Sequence, residues 1–296
     1  MVLINDERKR RGFSLHKNTK WANQILALQK PDGSWGNFHS LSVKNSQHIT
    51  TEQALRRLKI LGYTIQDPPI ERAVSYMQEC LCHRKEIPDR REKILSWDIF
   101  VCMMLAAWIR EFTKECPQAN QIAESWAKIL QKSFAFGEFS SAAYNQEYEN
   151  QFGQKPYGGR LKDFVSFYQV SLAADCLEKD TQFHVVSHIL HHPSGIYYVY
   201  EQPLNRLPNS FISKQAVKYL AAIELLTKYR YGRKHLGFVR DWLIENQLDH
   251  GEWDMGPQAK DGVWFPLSDT WRKEEFRRQD CTERIKGLLS LLHTEE

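Results

Sequence analysis

"WLIENQLDHGEW", residues 242–253, holds a Gln, three residues, a Gly, one residue and a Trp, and the same skeleton stands near the start of the chain in "QKPDGSW", residues 29–35. Gln29, Gly33 and Trp35 thus correspond to Gln247, Gly251 and Trp253. A third copy is looser. "WAKILQKSFAFGEF", residues 126–139, carries Gln131, Gly137 and Phe139, with a spacer two residues longer and Phe in place of the last Trp. A fourth, "HHPSGIY" at 191–197, keeps the spacing through His191, Gly195 and Tyr197 but loses the Gln. Gln78 closes an amphipathic run (Ile70, Val74, Met77, Leu81) without a Gly-x-Trp after it. The anchors Gln29, Gln78, Gln131, His191 and Gln247 lie 49, 53, 60 and 56 residues apart. Each interval has room for two helices of about 12–16 residues with their loops.

The segments between anchors alternate in character. The stretch before each anchor is apolar on one face, as in "QIAESWAKIL" with Ile122, Trp126, Ile129 and Leu130. The stretch after it is apolar nearly all round: Asp98–Ile109, Phe164–Leu177 and Ala216–Leu226. A helix apolar on every side is buried on every side, and these are too short to span a membrane. The pattern predicts an all-α fold of about ten to twelve helices, an outer layer around an inner one. "TEQALRRLKILGY" breaks the rule with Glu52, Arg56, Arg57 and Lys59: either the first repeat sits partly open or these charges reach into a cleft. No linker interrupts residues 19–296, so a single domain follows a flexible segment 1–18.

The repeated skeleton has a physical reading. An outer helix ends near the Gln, and the Gly permits the positive φ of a sharp reversal. The Gln amide serves helix ends left without partners, and the Trp covers it. The clasp resembles the QW motif of the terpenoid cyclase and protein prenyltransferase superfamily, best known from squalene–hopene cyclases. The likeness is closest at Trp242, Leu243, Gln247, Gly251 and Trp253, and extends from about Trp21 to Leu292. It implies an α/α toroid, with a parallel inner ring enclosing a cavity that takes an apolar, isoprenoid-like ligand. The superfamily's chemistry runs through DxDD, DDxxD or an Asp-x-Cys zinc pair, and this chain carries none of them. Asp280 and Cys281 are adjacent, so their side chains diverge by about 100° on a helix. No metal or cofactor is expected.

Parallel inner helices gather their N-termini at one rim, where the dipoles favour an anion. The residues placed there are Thr50 with Gln53, then Ser96, Trp97 and Asp98, then Lys162 and Asp163, then Ser210 and Ser213, then Asp280 and Glu283. Each is also an ordinary cap. Asp98 heads the most apolar helix, where desolvation would make it a proton donor; Asp163 is the second candidate acid. Trp97 and Tyr168 are the aromatics placed to face a cationic intermediate.

Two stretches read as long loops. "NQEYENQFGQKPYGGRLKDF" brings Tyr157, Gly158, Gly159 and Arg160 toward a helix start, as either a plain flexible turn or a place to hold a phosphate or carboxylate. "KDGVWFPLSDTWRKEEFRRQDC" carries Trp264 and Trp271 and is either a lid or a plug. His184, His188 and His191 share a helix face that is expected to meet solvent rather than a metal.

Composition narrows the classes. Of the 296 residues, 42% are hydrophobic and 26% charged, and the formal charge is +4. That excludes a nucleic-acid binder on charge grounds. "ERKRRGF", residues 7–13, allows weak contact with a membrane surface. Six cysteines without a CxxC pair read as reduced packing residues of a cytoplasmic protein. Two other function classes stay open: an interaction scaffold, its protein partner unknown, and a carbohydrate-active helical barrel with two facing acids.

Overall fold

The computed structural model describes residues 16–39, 41, 49–93, 96–158 and 161–292. Among the described residues the fold is all-helical, with eleven α-helices, two short 3-10 turns and only isolated β-bridges. Two compact units make up the chain: residues up to Arg90 with Lys260–Asp280, and Arg91–Ala259 with the residues from Cys281 onward.

The first unit holds α1 (Lys20–Leu26), α2 (Thr51–Ile60) and α3 (Pro68–Leu81). Before α1, Lys17 pairs with Asp67 at 2.7 Å and its carbonyl accepts from the Tyr63 hydroxyl. The remainder of the expected flexible segment, residues 1–15, lies outside the described residues. α2 starts on the expected box: Thr50 accepts from the Gln53 amide, and the Gln53 side chain accepts from the Thr50 amide. Its charges do not line an open cleft. Glu52 is fully buried beside Arg56, and Arg57 is 5% exposed. The Arg57 guanidinium donates to the carbonyls of Val263 (2.7 Å) and Pro266.

That aromatic loop is a folded plug of this unit. One carboxylate oxygen of Asp261 accepts the amides of Val263, Trp264 and Phe265 at 3.1, 2.9 and 3.0 Å. Asp280 accepts the amides of Leu267 and Ser268 at 2.8 and 3.0 Å. Trp264, Phe265 and Trp271 are buried. α1 joins the same loop through the Trp21 indole on Ser268 O (2.9 Å) and the Lys20 amide on Asp269 (2.7 Å). Asp280 does not open the last helix. That helix, α11, begins at Glu274, which leaves Asp280 inside it, where burial raises its carboxyl above the usual range.

The second unit holds α4 (Trp97–Phe112), α5 (Pro117–Ser133), α6 (Ser141–Phe152), α7 (Phe167–Ala173), α8 (Lys179–His191), α9 (Lys214–Leu226) and α10 (Gly237–Glu245), with α11 (Glu274–Leu292) from Cys281 on. α4 and α9 bury residues on every side, as their composition requires. At the leading ends of α4 and α7, the Phe100 and Tyr168 rings meet edge to face at 5.6 Å. Near the trailing ends, Lys228 donates to Ser171 at 2.8 Å and the Tyr229 hydroxyl donates to Val170 O at 2.7 Å.

Two expectations fail locally. α7 is shorter than Phe164–Leu177, because Tyr197 takes over the backbone ahead of it: its amide donates to Val165 O (2.9 Å) and its carbonyl accepts from Phe167 (3.1 Å). The stretch from Asn145 was read as a loop, but Ser140 caps a helix there at the Ala143 amide and Gly153 ends it at φ 69°.

The four repeated turns share one geometry. Each glycine has positive φ and donates its amide three residues back: Gly33 to Lys30, Gly137 to Phe134, Gly195 to His192, Gly251 to Leu248. At Gly33 a Cβ would stand 2.4 Å from Arg72 O, and at Gly195 2.2 Å from Gln202 O, so both positions require glycine sterically as well. The Trp does not simply cover the Gln amide. Its indole N–H donates to a carbonyl ten residues back, Trp35 to Ile25 O (2.7 Å) and Trp253 to Leu243 O (2.6 Å).

Candidate ligand pocket at the head of α4

Ser96 occupies the N-cap position of α4. Its amide donates to Tyr157 O at 3.1 Å, which draws the segment after α6 against the helix head. The two segments enclose about 420 Å³, lined by Arg91, Lys93, Trp97, Asp98, Gln154 and Tyr157, with Glu92 and Ser96 completing the wall. Two cations and two carboxylates balance in formal charge around an indole and a phenol.

Four residues singled out in the sequence, Ser96, Trp97, Asp98 and Tyr157, come together here. The others do not. Tyr168 is fully buried behind the pocket; the Trp97 and Phe100 rings are 6.1 Å apart, and Phe100 lies against Tyr168. Trp264 and Trp271 are packed within the loop of the first unit. Gly159 and Arg160 lie outside the described residues. The desolvation expected at Asp98 does not occur. Its side chain is 69% exposed and pairs with Arg91, 68% exposed, at 2.7 Å. The helix is buried, but its first turn points outward. Asp163 lies three residues ahead of the N-cap Ser166, where its side chain accepts the Val165 amide at 3.3 Å. It shapes the turn into α7 rather than opening the helix.

Sequence reasoning passed over Arg91, Glu92, Lys93 and Gln154. The charged run "DRREK" at 89–93, directly before the most apolar helix, was the available signal.

A second polar group lies toward the trailing ends of α4, α7 and α9. Glu111 contacts both Ser171 and Lys228, and Lys228 donates to Ser171. Burial draws the Lys228 ammonium down to about 7, opposed by Asp175 and assisted by Arg110. Cations at helix C-termini complement the dipoles there.

The histidine face of α8 meets solvent only in part: His191 is exposed and His184 half-buried, but His188 turns inward. His188 packs against Phe139 (4.9 Å), Phe134 and Phe164 (5.6 Å each), whereas Phe183 is 39% exposed. Among the described residues no group of three His, Cys, Asp or Glu side chains is placed to hold a metal. All six cysteines are free thiols, and no helix among the described residues is long and apolar enough to cross a membrane. Comparison with protein-family models, with curated proteins and with solved structures gives no match to this chain.

Proposed function

We propose that this chain is a ligand-binding helical toroid of the terpenoid cyclase type, in which the pocket at the head of α4 holds a small amphiphile. The observation that carries this reading is the pairing of Trp97 and Tyr157 with Arg91, Lys93 and Gln154 around one space of about 420 Å³. An isoprenoid-like body lies on the two rings and its polar end meets the cations. The toroid reading is supported by the four repeated turns, which share one geometry. The chain binds rather than cyclises, because Asp98 is exposed and ion-paired. A proton donor to a hydrocarbon needs an apolar site that raises its pKa.

Thermal unfolding against a panel of isoprenoid diphosphates tests the proposal. A saturating ligand at a hundredfold excess over Kd adds about 2.7 kcal/mol, and Trp97→Ala abolishes that gain. Absence of a shift with every compound overturns it. One observation favours a second reading: Glu92 and Asp98 share the pocket with Trp97, as a carbohydrate site would arrange acids beside a stacking ring. A shift with oligosaccharides alone selects that reading.

A further inference from the structure

One of the four repeated turns carries an unusual side chain. The residue ahead of the turn glycine is Asp32, Ser194 or His250 in three copies and Phe136 in the remaining one. Phe134, two residues earlier, is buried, whereas Phe136 is 98% exposed, more than any other large apolar side chain among the described residues. The Gly137 amide closes the turn on Phe134 O at 2.9 Å, with Gly137 at φ 86°, and this leaves Phe136 at the crest. A single exposed apolar residue needs no explanation, but Phe136 does not stand alone. A Cβ at Gly137 would lie 3.3 Å from the His184 ring. That ring is 5.6 Å from the ring of Phe183, which is 39% exposed and lies 4.0 Å from the His235 ring. His235 Nε2 meets Phe183 O at 3.1 Å, and the Tyr231 amide donates to Gln182 Oε1 at 3.3 Å. These contacts lay the 3-10 helix Arg230–Leu236 along α8. Phe136, Phe183 and Tyr231, the last 37% exposed, thereby make one aromatic surface.

Cations frame this surface. Lys179 Nζ stands 5.3 Å and Arg230 Cζ 5.9 Å from the centre of the Tyr231 ring. Arg230, Arg233 and Lys234 fall within seven residues that contain no acid, and Arg230 and Lys234 are exposed. The acids of the flanking segments, Glu138, Glu178 and Asp180, leave the surface cationic, since Lys132 and Lys179 offset two of them. A protruding ring among cations fits a partner that is anionic at its surface and apolar just beneath. We infer that the face made by Phe136, Phe183 and Tyr231 rests on an anionic lipid surface, with Phe136 inserted among the acyl chains and Lys179, Arg230 and Lys234 paired with headgroup phosphates or carboxylates. An apolar anchor by itself binds weakly and reversibly, and a basic patch beside it makes the attachment stable. Phe136 rises from the surface rather than lining a cleft, which favours a yielding bilayer over the rigid surface of an acidic protein. None of these residues lines the pocket at the head of α4, so the lipid contact is independent of that ligand site.

The experiment is co-sedimentation of the full chain with two kinds of vesicle, one of phosphatidylserine and phosphatidylcholine in equal parts and one of phosphatidylcholine alone. Binding requires the anionic lipid and weakens as salt is raised. Phe136→Ser weakens it about tenfold. Arg230→Gln and Lys234→Gln each weaken it about fivefold. All three variants keep the melting temperature of the wild type, because the replaced side chains are exposed. Leu41→Ser removes another exposed apolar side chain, 73% exposed, and leaves binding unchanged. The proposal is overturned if phosphatidylcholine alone binds as well, if Phe136→Ser binds as the wild type does, or if Leu41→Ser loses as much. Binding that survives Phe136→Ser but is lost in the double variant Arg10→Glu, Arg11→Glu belongs to the basic stretch 7–13 and also overturns it. Retention by poly-glutamate without vesicle binding assigns the face to an acidic polypeptide and overturns the lipid contact.

Discussion

The clasp at Gln29–Trp35 and the clasp at Gln247–Trp253 are built from the same backbone bonds but use their glutamines differently. In both, the residue after the Gln donates its amide four residues on, Lys30 to Ser34 O and Leu248 to Glu252 O, each at 2.8 Å. In both, the Trp amide donates to a threonine hydroxyl, Trp35 to Thr51 (2.9 Å) and Trp253 to Thr282 (3.0 Å). The Gln29 amide then donates to Gly33 O (3.0 Å) and Pro69 O (2.8 Å) and accepts from Arg72 (2.7 Å). Gln247 stands exposed, its amide nitrogen lying over Gly251. The tryptophan and the turn are the constant part of the clasp, and the glutamine acts only where a following outer helix offers it a carbonyl.

Three measurements sharpen or break that comparison. The largest effect belongs to the indoles. Trp35→Ala and Trp253→Ala each cost about 3–5 kcal/mol in urea unfolding, and the two losses agree because the bonds agree. A gap of more than about 2 kcal/mol would show that the clasps are not equivalent. The middle copy provides the second test. Phe139 has no indole N–H to donate and packs instead against His188. Burial, aided by His192 and His191, lowers the His188 pKa from 6.5 to about 4. The native state therefore resists a proton that the unfolded chain accepts. Stability from this group is complete above the unfolded value and declines as pH falls from about 6.5 toward 4. The decline reaches no more than about 2 kcal/mol after solvent screening. Comparing His188→Phe with the wild type at pH 7 and pH 4.5 isolates it, since the variant lacks that slope. The smallest effect separates the glutamines. Gln29→Ala costs about 1 kcal/mol, while Gln247→Ala stays within about 0.5 kcal/mol of the wild type.

What could be read from the residues depended on how local the deciding forces were. The turns at Gly33, Gly137, Gly195 and Gly251 and the burial of α4 and α9 follow from spacing and composition, and the structure has them. The helix α6 carried local marks at Ser140 and Gly153 that the glutamines and acids between them obscured. The environment of Asp98 was not legible, because Arg91 outside the helix sets it. The charges of α2 were visible but their partners were not: Arg57 meets carbonyls more than two hundred residues away.

The tie between Arg57 and the loop after Lys260 governs the order in which the chain can assemble. A ribosome releases α1, α2 and α3 long before Val263 and Pro266 exist, so the early helices wait with a guanidinium and a carboxylate turned inward and no carbonyls to receive the guanidinium. Their unit is closed only after the segment from Lys260 has been made, 206 residues separating Arg57 from Val263, so the appearance of its own first half does not complete it.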